Sequence, residues 1–178
     1  MENQITQPFI YNGQVTVSAV NGKTVFYKYS FHNAGTTLFF EGLCHLLAGE
    51  PYESQKARLP QFIRLYHGET PLTDLAFKYN TTIQVKTTSE NKYVTVLHFA
   101  IPAGQIKASL GTIDCLKLFG EKATGGATEG SAQVLAVFTI PDGADVDPAD
   151  FTPNTQYLVE WSIGFDNQKE SGTNSISS

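Results

Sequence analysis

QVTVSAVNGKTVFYKYSF, residues 14–31, decides how the chain is read. From Gln14 to Val20 apolar and polar residues alternate with the period of a strand buried on one face. Asn21-Gly22 interrupts the run, and Thr24 to Phe31 resumes it with β-branched and aromatic residues. Asn-Gly between two such runs predicts a hairpin centred on that pair, because both central residues of a type I′ turn take positive φ.

Outward from there the texture stays β. PQFIRLYH (60–67), TTIQVKTT (81–88) and KYVTVLHFAI (92–101) read as strands, the last two joined in a second hairpin through Ser89-Glu90-Asn91. Both faces of KYVTVLHFAI are largely apolar, which predicts a strand flanked on both sides. TIDCLKLFGE (112–121) and AQVLAVFTI (132–140) follow, separated by the glycine-rich KATGGATEGS, and QYLVEWSIGF (156–165) makes the last strand. Only HNAGTTLFFEGLCHLLAGE (32–50) carries helical spacing. It predicts a helix over 37–48, capped by Thr36 or Thr37 and ended by Gly49 and Pro51. Leu38, Phe39, Leu43, Leu46 and Leu47 form its apolar face. Gly42 within it costs about 1 kcal/mol relative to Ala, so its small size predicts close approach to a strand or a neighbouring subunit. Leu38, Phe39, Gly42 and Leu43 are therefore packing or interface candidates.

Eight or so short strands with one helix predict a mainly β fold, an antiparallel β-sandwich, jelly-roll-like, with one short docked α-helix. There is no βαβ alternation, which excludes a doubly wound nucleotide fold. The expected organisation is an N-terminal arm over 1–13, a single domain over 14–166 and a flexible tail over 167–178. The 178 residues suit one domain with its own core. A net charge of -5 offers no basic patch for nucleic acid, and no apolar run approaches the roughly 20 residues of a bilayer span. The N-terminal MENQITQPFIYNGQ lacks the basic and apolar regions of a signal peptide.

Chemistry is sparse. The NAGTT turn lacks the spacing and lysine of a P-loop. Cys44 and His45 are neighbours on the helix and point about 100° apart, so they cannot pair as nucleophile and base. No metal-ligand spacing of Cys or His occurs. Cys44 and Cys115 lie among apolar residues and read as buried, reduced thiols, a disulfide between them being the open alternative. Asp142, Asp145, Asp147 and Asp150 crowd one loop and could offer oxygen ligands to Ca²⁺, but the EF-hand order fails. Trp161 shares a strand face with Tyr157, Val159 and Ile163, which reads as core or subunit interface rather than a sugar platform. No cofactor and no catalytic residue are expected.

Read in order, several stretches resemble a family of bacteriophage virion structural proteins from tails, baseplates, necks and related appendages. These are HNAGTTLFFEGLCHLLAGE, LPQFIRLYHG with PLTDLAF after it, GTIDCLKLFGE and YLVEWSIGFDN. Such proteins lead from a strand through an N-x-G-T turn into a short helix ending in Ala-Gly, and carry a late strand with a central Trp. Here Ile113 to Phe119 departs from the pattern of the middle segment. The resemblance implies assembly rather than catalysis, with other virion proteins and copies of the chain as partners. It implies location in the virion after synthesis in a bacterial host cytoplasm. The competing expectation, from the aromatic content, is a carbohydrate-binding β-sandwich module recognising a host glycan.

Overall fold

The first and last strands pair along their whole length. β1 (Phe9–Asn21) lies antiparallel to β10 (Thr155–Asn167), with Phe9 opposite Asn167 and Asn21 opposite Thr155. This computed structural model describes residues 9–33, 37–79, 84–87, 93–121 and 134–167. The expected Thr36 cap, the 89–91 connection, the glycine-rich loop, and residues 1–8 and 168–178 of the expected arm and tail lie outside the described residues. β1 starts inside the stretch expected as an arm, because Phe9 to Gly13 continue the ladder with β10.

On its other side β1 pairs with β2 (Thr24–Asn33), and β10 pairs with β7 (Tyr93–Pro102), which pairs with β6 (Gln84–Thr87). The first sheet is thus ordered β2-β1-β10-β7-β6. The second contains β3 (Phe62–His67), β4 (Thr70–Pro71), β5 (Phe77–Lys78), β8 (Cys115–Phe119) and β9 (Val134–Thr139). Its path runs β4-β3-β8-β9, with β5 also on β3. The two antiparallel sheets share one core and form the expected sandwich. α1 (Thr37–Leu47) is the expected helix, and a second short helix, α2 (Tyr52–Gln55), was not foreseen because four residues carry no periodic signal.

The first hairpin forms with a shifted turn. Asn21 pairs with Thr24, so the loop residues are Gly22 and Lys23, with φ of +60° at Gly22. A bulge then places Tyr27, not Phe26, opposite Ala19. The extra residue restores the parity that turns Tyr27, Tyr29 and Phe31 toward the core side.

Pairing sets three inner rows: Val15–Trp161–Leu97, Val17–Val159–Phe99 and Ala19–Tyr157–Ile101. All nine side chains are buried. The small residues of β1 stand beside the large rings of β10, so indole and phenol fill space that two large neighbours would contest. Ile63, Leu65, Leu116, Leu118, Ala136 and Phe138 meet these rows from the second sheet. Between β4 and β5 the partner of β3 is interrupted, and there the Arg64 guanidinium donates to the carbonyls of Thr73 and Asp74. Those bonds hold a charge that directly opposes Lys117 on β8, while Lys117 pairs with Glu69 and sits 4.4 Å over the Tyr66 ring.

Trp161 is fully enclosed, and its indole N–H has no hydrogen-bond partner among the described residues. Trp161→Ala should therefore cost about 3–5 kcal/mol. Trp161→Phe, which sacrifices no satisfied hydrogen bond, should cost much less in denaturant titrations; equal losses would contradict this packing.

Tyr27 donates its hydroxyl to the Ala144 carbonyl, and burial pushes its pKa up to about 12 from 10.0. Burial also raises the Tyr157 phenol well above its ordinary value. The folded state holds these protons more tightly than the unfolded chain, so their contribution is complete below pH 10 and lost as pH climbs toward 12. Thermal melts should hold their midpoint to about pH 10 and fall steeply above it; a flat profile to pH 12 would disprove the burial.

Candidate interaction surface

α1 is ended as its sequence predicts. Gly49 takes φ of +84°, its N–H reaches the Leu46 carbonyl at 3.0 Å, and the Glu50 N–H reaches His45 at 3.1 Å, the paired bonds of a Schellman end. Phe39 and Gly42 are the buried residues of the helix, with Leu38, Leu43 and Leu46 half-buried. Leu47 was expected on this face but is 89% exposed. It lies about 80° around the helix from Phe39, at the helix's last residue.

The seat itself is a turn, not a strand or a subunit. A Cβ at Gly42 would stand 2.7 Å from Arg58 Cβ and 3.0 Å from its carbonyl oxygen. At Gly120 it would stand 2.1 Å from the Ala57 carbonyl. The 3₁₀ turn Lys56–Arg58 is therefore clamped between two glycines, and the Glu121 N–H donates to the Lys56 carbonyl at 2.8 Å. Polar side chains tie the same parts together. His45 meets Glu50, Glu50 accepts from buried Gln55 at 2.6 Å, and Gln55 accepts from Arg58 at 3.1 Å. Between α1 and the inner face of the first sheet lies an apolar cleft of about 370 Å³, walled by Phe39, Leu43, Leu46, Leu97 and Ile163. Tyr52 stands at it, its phenol raised by burial and its hydroxyl accepting from Gln61. Its polar lining is Tyr52, Tyr79 and Thr95, with no carboxylate, histidine or lysine among the described residues that wall it.

The five residues singled out as packing or interface candidates are not brought together. Leu38, Phe39 and Leu43 serve the seat of α1, Gly42 serves the clamp, and Trp161 sits in the sandwich core. The four acids of the 142–150 loop do not converge either. All are exposed, Asp147 accepts the Ala149 N–H, and the described residues hold no group of three or more His, Cys, Asp or Glu able to share a metal ion. Cys44 corrects the expectation of two buried thiols. It is exposed, about 140° around α1 from Phe39, and both cysteines are free. Cys115 is buried, which raises its thiol pKa. Three histidines, scattered in sequence, each meet a carboxylate: His45 with Glu50, His67 with Asp114 at 2.9 Å, and His98 with Glu160 at 3.4 Å. The three pairs are far apart in sequence, and the Thr112 hydroxyl lies 3.4 Å from His67 Nδ1, the nitrogen that meets Asp114.

The surface that sequence reasoning missed is one side of the sandwich. β2 and β9 end their respective sheets, and Phe31 meets Phe138 at 5.2 Å, so the two edge strands lie one over the other. Their outer edges pair with no strand among the described residues. Val25 is 55% exposed, Phe26 49%, Tyr29 43%, Val134 37% and Val137 48%. The signal was present in VFYKYSF, where apolar residues occupy both parities, but a strand's place at the edge cannot be read from its own residues. Edges are normally guarded by charge, proline, strand shortening or a bulge, and each of these edge strands carries a bulge, at Phe26 in β2 and at Leu135 in β9. Here a ten-residue β2 carries Lys28 as its single full charge, and β9 carries none.

No family model matches the chain, and no curated protein or solved structure matches it. The fold is therefore what defines it: an antiparallel two-sheet β-sandwich.

Gly42→Ala gives the sign test of the clamp. Helix propensity alone favours Ala by about 1 kcal/mol. The added methyl meets Arg58 Cβ and backbone, neither able to swing away, so the variant should be less stable by about 1–3 kcal/mol in denaturant unfolding. A stabilised variant would mean the turn is not seated there.

Proposed function

We propose that the chain is a non-enzymatic structural component of a bacteriophage virion, in a tail, neck or other appendage, assembling through contacts with its own copies and with neighbouring virion proteins. One observation supports assembly: β2 and β9 pair with no further strand among the described residues, and Val25, Phe26, Tyr29, Val134 and Val137 are exposed on them. A chain that functions alone risks aggregation through such a side, whereas a subunit covers it. The virion setting rests on the ordered resemblance of the helix stretch 32–50, the 59–68 strand and the closing YLVEWSIGFDN.

A host glycan is the second reading, favoured by one feature, the Tyr29 and Phe31 rings stacked 11° from parallel on β2. Trp161, fully buried, is not available to it. Mass spectrometry and immunogold labelling of purified particles separate the cases. The chain should be present in fixed copy number and label one appendage. Its absence from particles, together with specific glycan-array binding lost in Tyr29→Ala, would replace the structural reading.

A further inference from the structure

We propose that the cleft between α1 and the first sheet is a binding site for a small uncharged molecule, an apolar body that carries one hydrogen-bond acceptor such as a ketone or ester carbonyl. The inference is independent of the assembly reading and concerns other residues.

The strand sequences leave the space. The inner row Val15–Trp161–Leu97 is filled by apolar side chains on all three strands. The next row along the same strands is Gly13–Ile163–Thr95, where glycine and threonine flank one large residue. Opposite this thinned row stand Phe39, Leu43 and Leu46 of α1, with Leu59 and Pro60 from the segment before β3. The gap between them is about 370 Å³, within the range of small-molecule sites. A cavity of about 150 Å³ with walls of this kind stays dry and takes benzene. α1 is already held at its seat by Gly42 against Arg58, so the helical wall is in place before a ligand arrives.

Charge complementarity selects the occupant. Among the described residues that wall the cleft none is charged, so an ionised ligand would lose its water and gain no counter-ion. The phenols set the polar end. The Tyr52 hydroxyl accepts from the amide of buried Gln61, and burial first, then the neighbouring Tyr79, raises the Tyr52 phenol. With Tyr52 already accepting, a phenol proton is left to donate, and its natural acceptor is an uncharged oxygen on the ligand. Tyr52 is partly exposed and Leu97 is buried, so the polar end lies at the mouth and the apolar body runs inward.

Acetophenone, ethylbenzene and benzoate share one ring and differ in the attached group, so they serve as probes of the full chain. In methyl NMR titrations acetophenone should bind saturably and shift the Leu43, Leu46, Leu97 and Ile163 signals. Ethylbenzene should bind about tenfold more weakly, the loss of one hydrogen bond, and benzoate should leave the signals unmoved. Tyr52→Phe combined with Tyr79→Phe should bring acetophenone to the affinity of ethylbenzene while ethylbenzene itself binds as before, which a general loss of fold cannot produce. Leu43→Trp fills the cleft and should abolish binding of both, whereas Leu47→Trp, on an exposed part of the same helix, should bind as the parent does. If Leu43→Trp does not keep the parent circular dichroism, Leu46→Phe makes the same test with a smaller addition. No saturable shift with any probe, benzoate binding as well as acetophenone, equal affinity for acetophenone and ethylbenzene, or binding unchanged when the cleft is filled would overturn the proposal.

Discussion

The pairing of β1 with β10 is the constraint on which the rest of this sandwich depends. Thirteen residues at one end of the domain are held against thirteen at the other, from Phe9–Asn167 to Asn21–Thr155. A slip of one residue would turn Trp161, Val159 and Tyr157 to the outer face, so the register is fixed by the cost of exposing those rings. Once it is fixed, β7 can join only at the free side of β10 and β2 only at the free side of β1. The turn at Gly22-Lys23 leaves β2 no other neighbour. The place of β2 at the end of its sheet among the described residues is thus a consequence of how the core closes.

At another part of the sandwich the problem is solved differently. α1 carries too few buried side chains to be stable alone, and a helix of eleven residues is marginal in water without tertiary packing. It is held instead by shape, with Gly42 and Gly120 admitting the Lys56–Arg58 backbone between them, and by the chain from His45 through Glu50 and Gln55 to Arg58. The helix stretch that looks most like a chemical site, with its Cys–His pair, contributes packing. Its histidine hydrogen-bonds a local carboxylate, and its cysteine faces away from the seat.

How much of this was legible in the sequence depended on which signal each feature leaves. Strands with period-two burial, such as QVTVSAV and QYLVEWSIGF, and the helix with its Gly49 stop were readable because local patterning and capping specify them. The exact turn was not, since a bulge between Ala19 and Val20 moved the loop by one residue without altering composition. α2, β4 and β5 were too short to show a period. For the packing or interface candidates the sequence left the choice of neighbour open. Burial of Trp161 and close approach at Gly42 were legible, but whether the neighbour belongs to the same chain depends on long-range pairing. Exposure of Val25, Phe26 and Tyr29 is likewise set by sheet order, which no window of sequence contains.

The central claim is that the β2–β9 side is covered in the working state of this protein. Hydrogen exchange of β2 amides, followed as protein concentration is raised, tests it most directly. Protection along Thr24–Asn33 should climb with concentration toward that of β1, which is hydrogen-bonded on both sides in the single chain. Fast exchange of β2 at every concentration, with β1 fully protected throughout, would contradict the account.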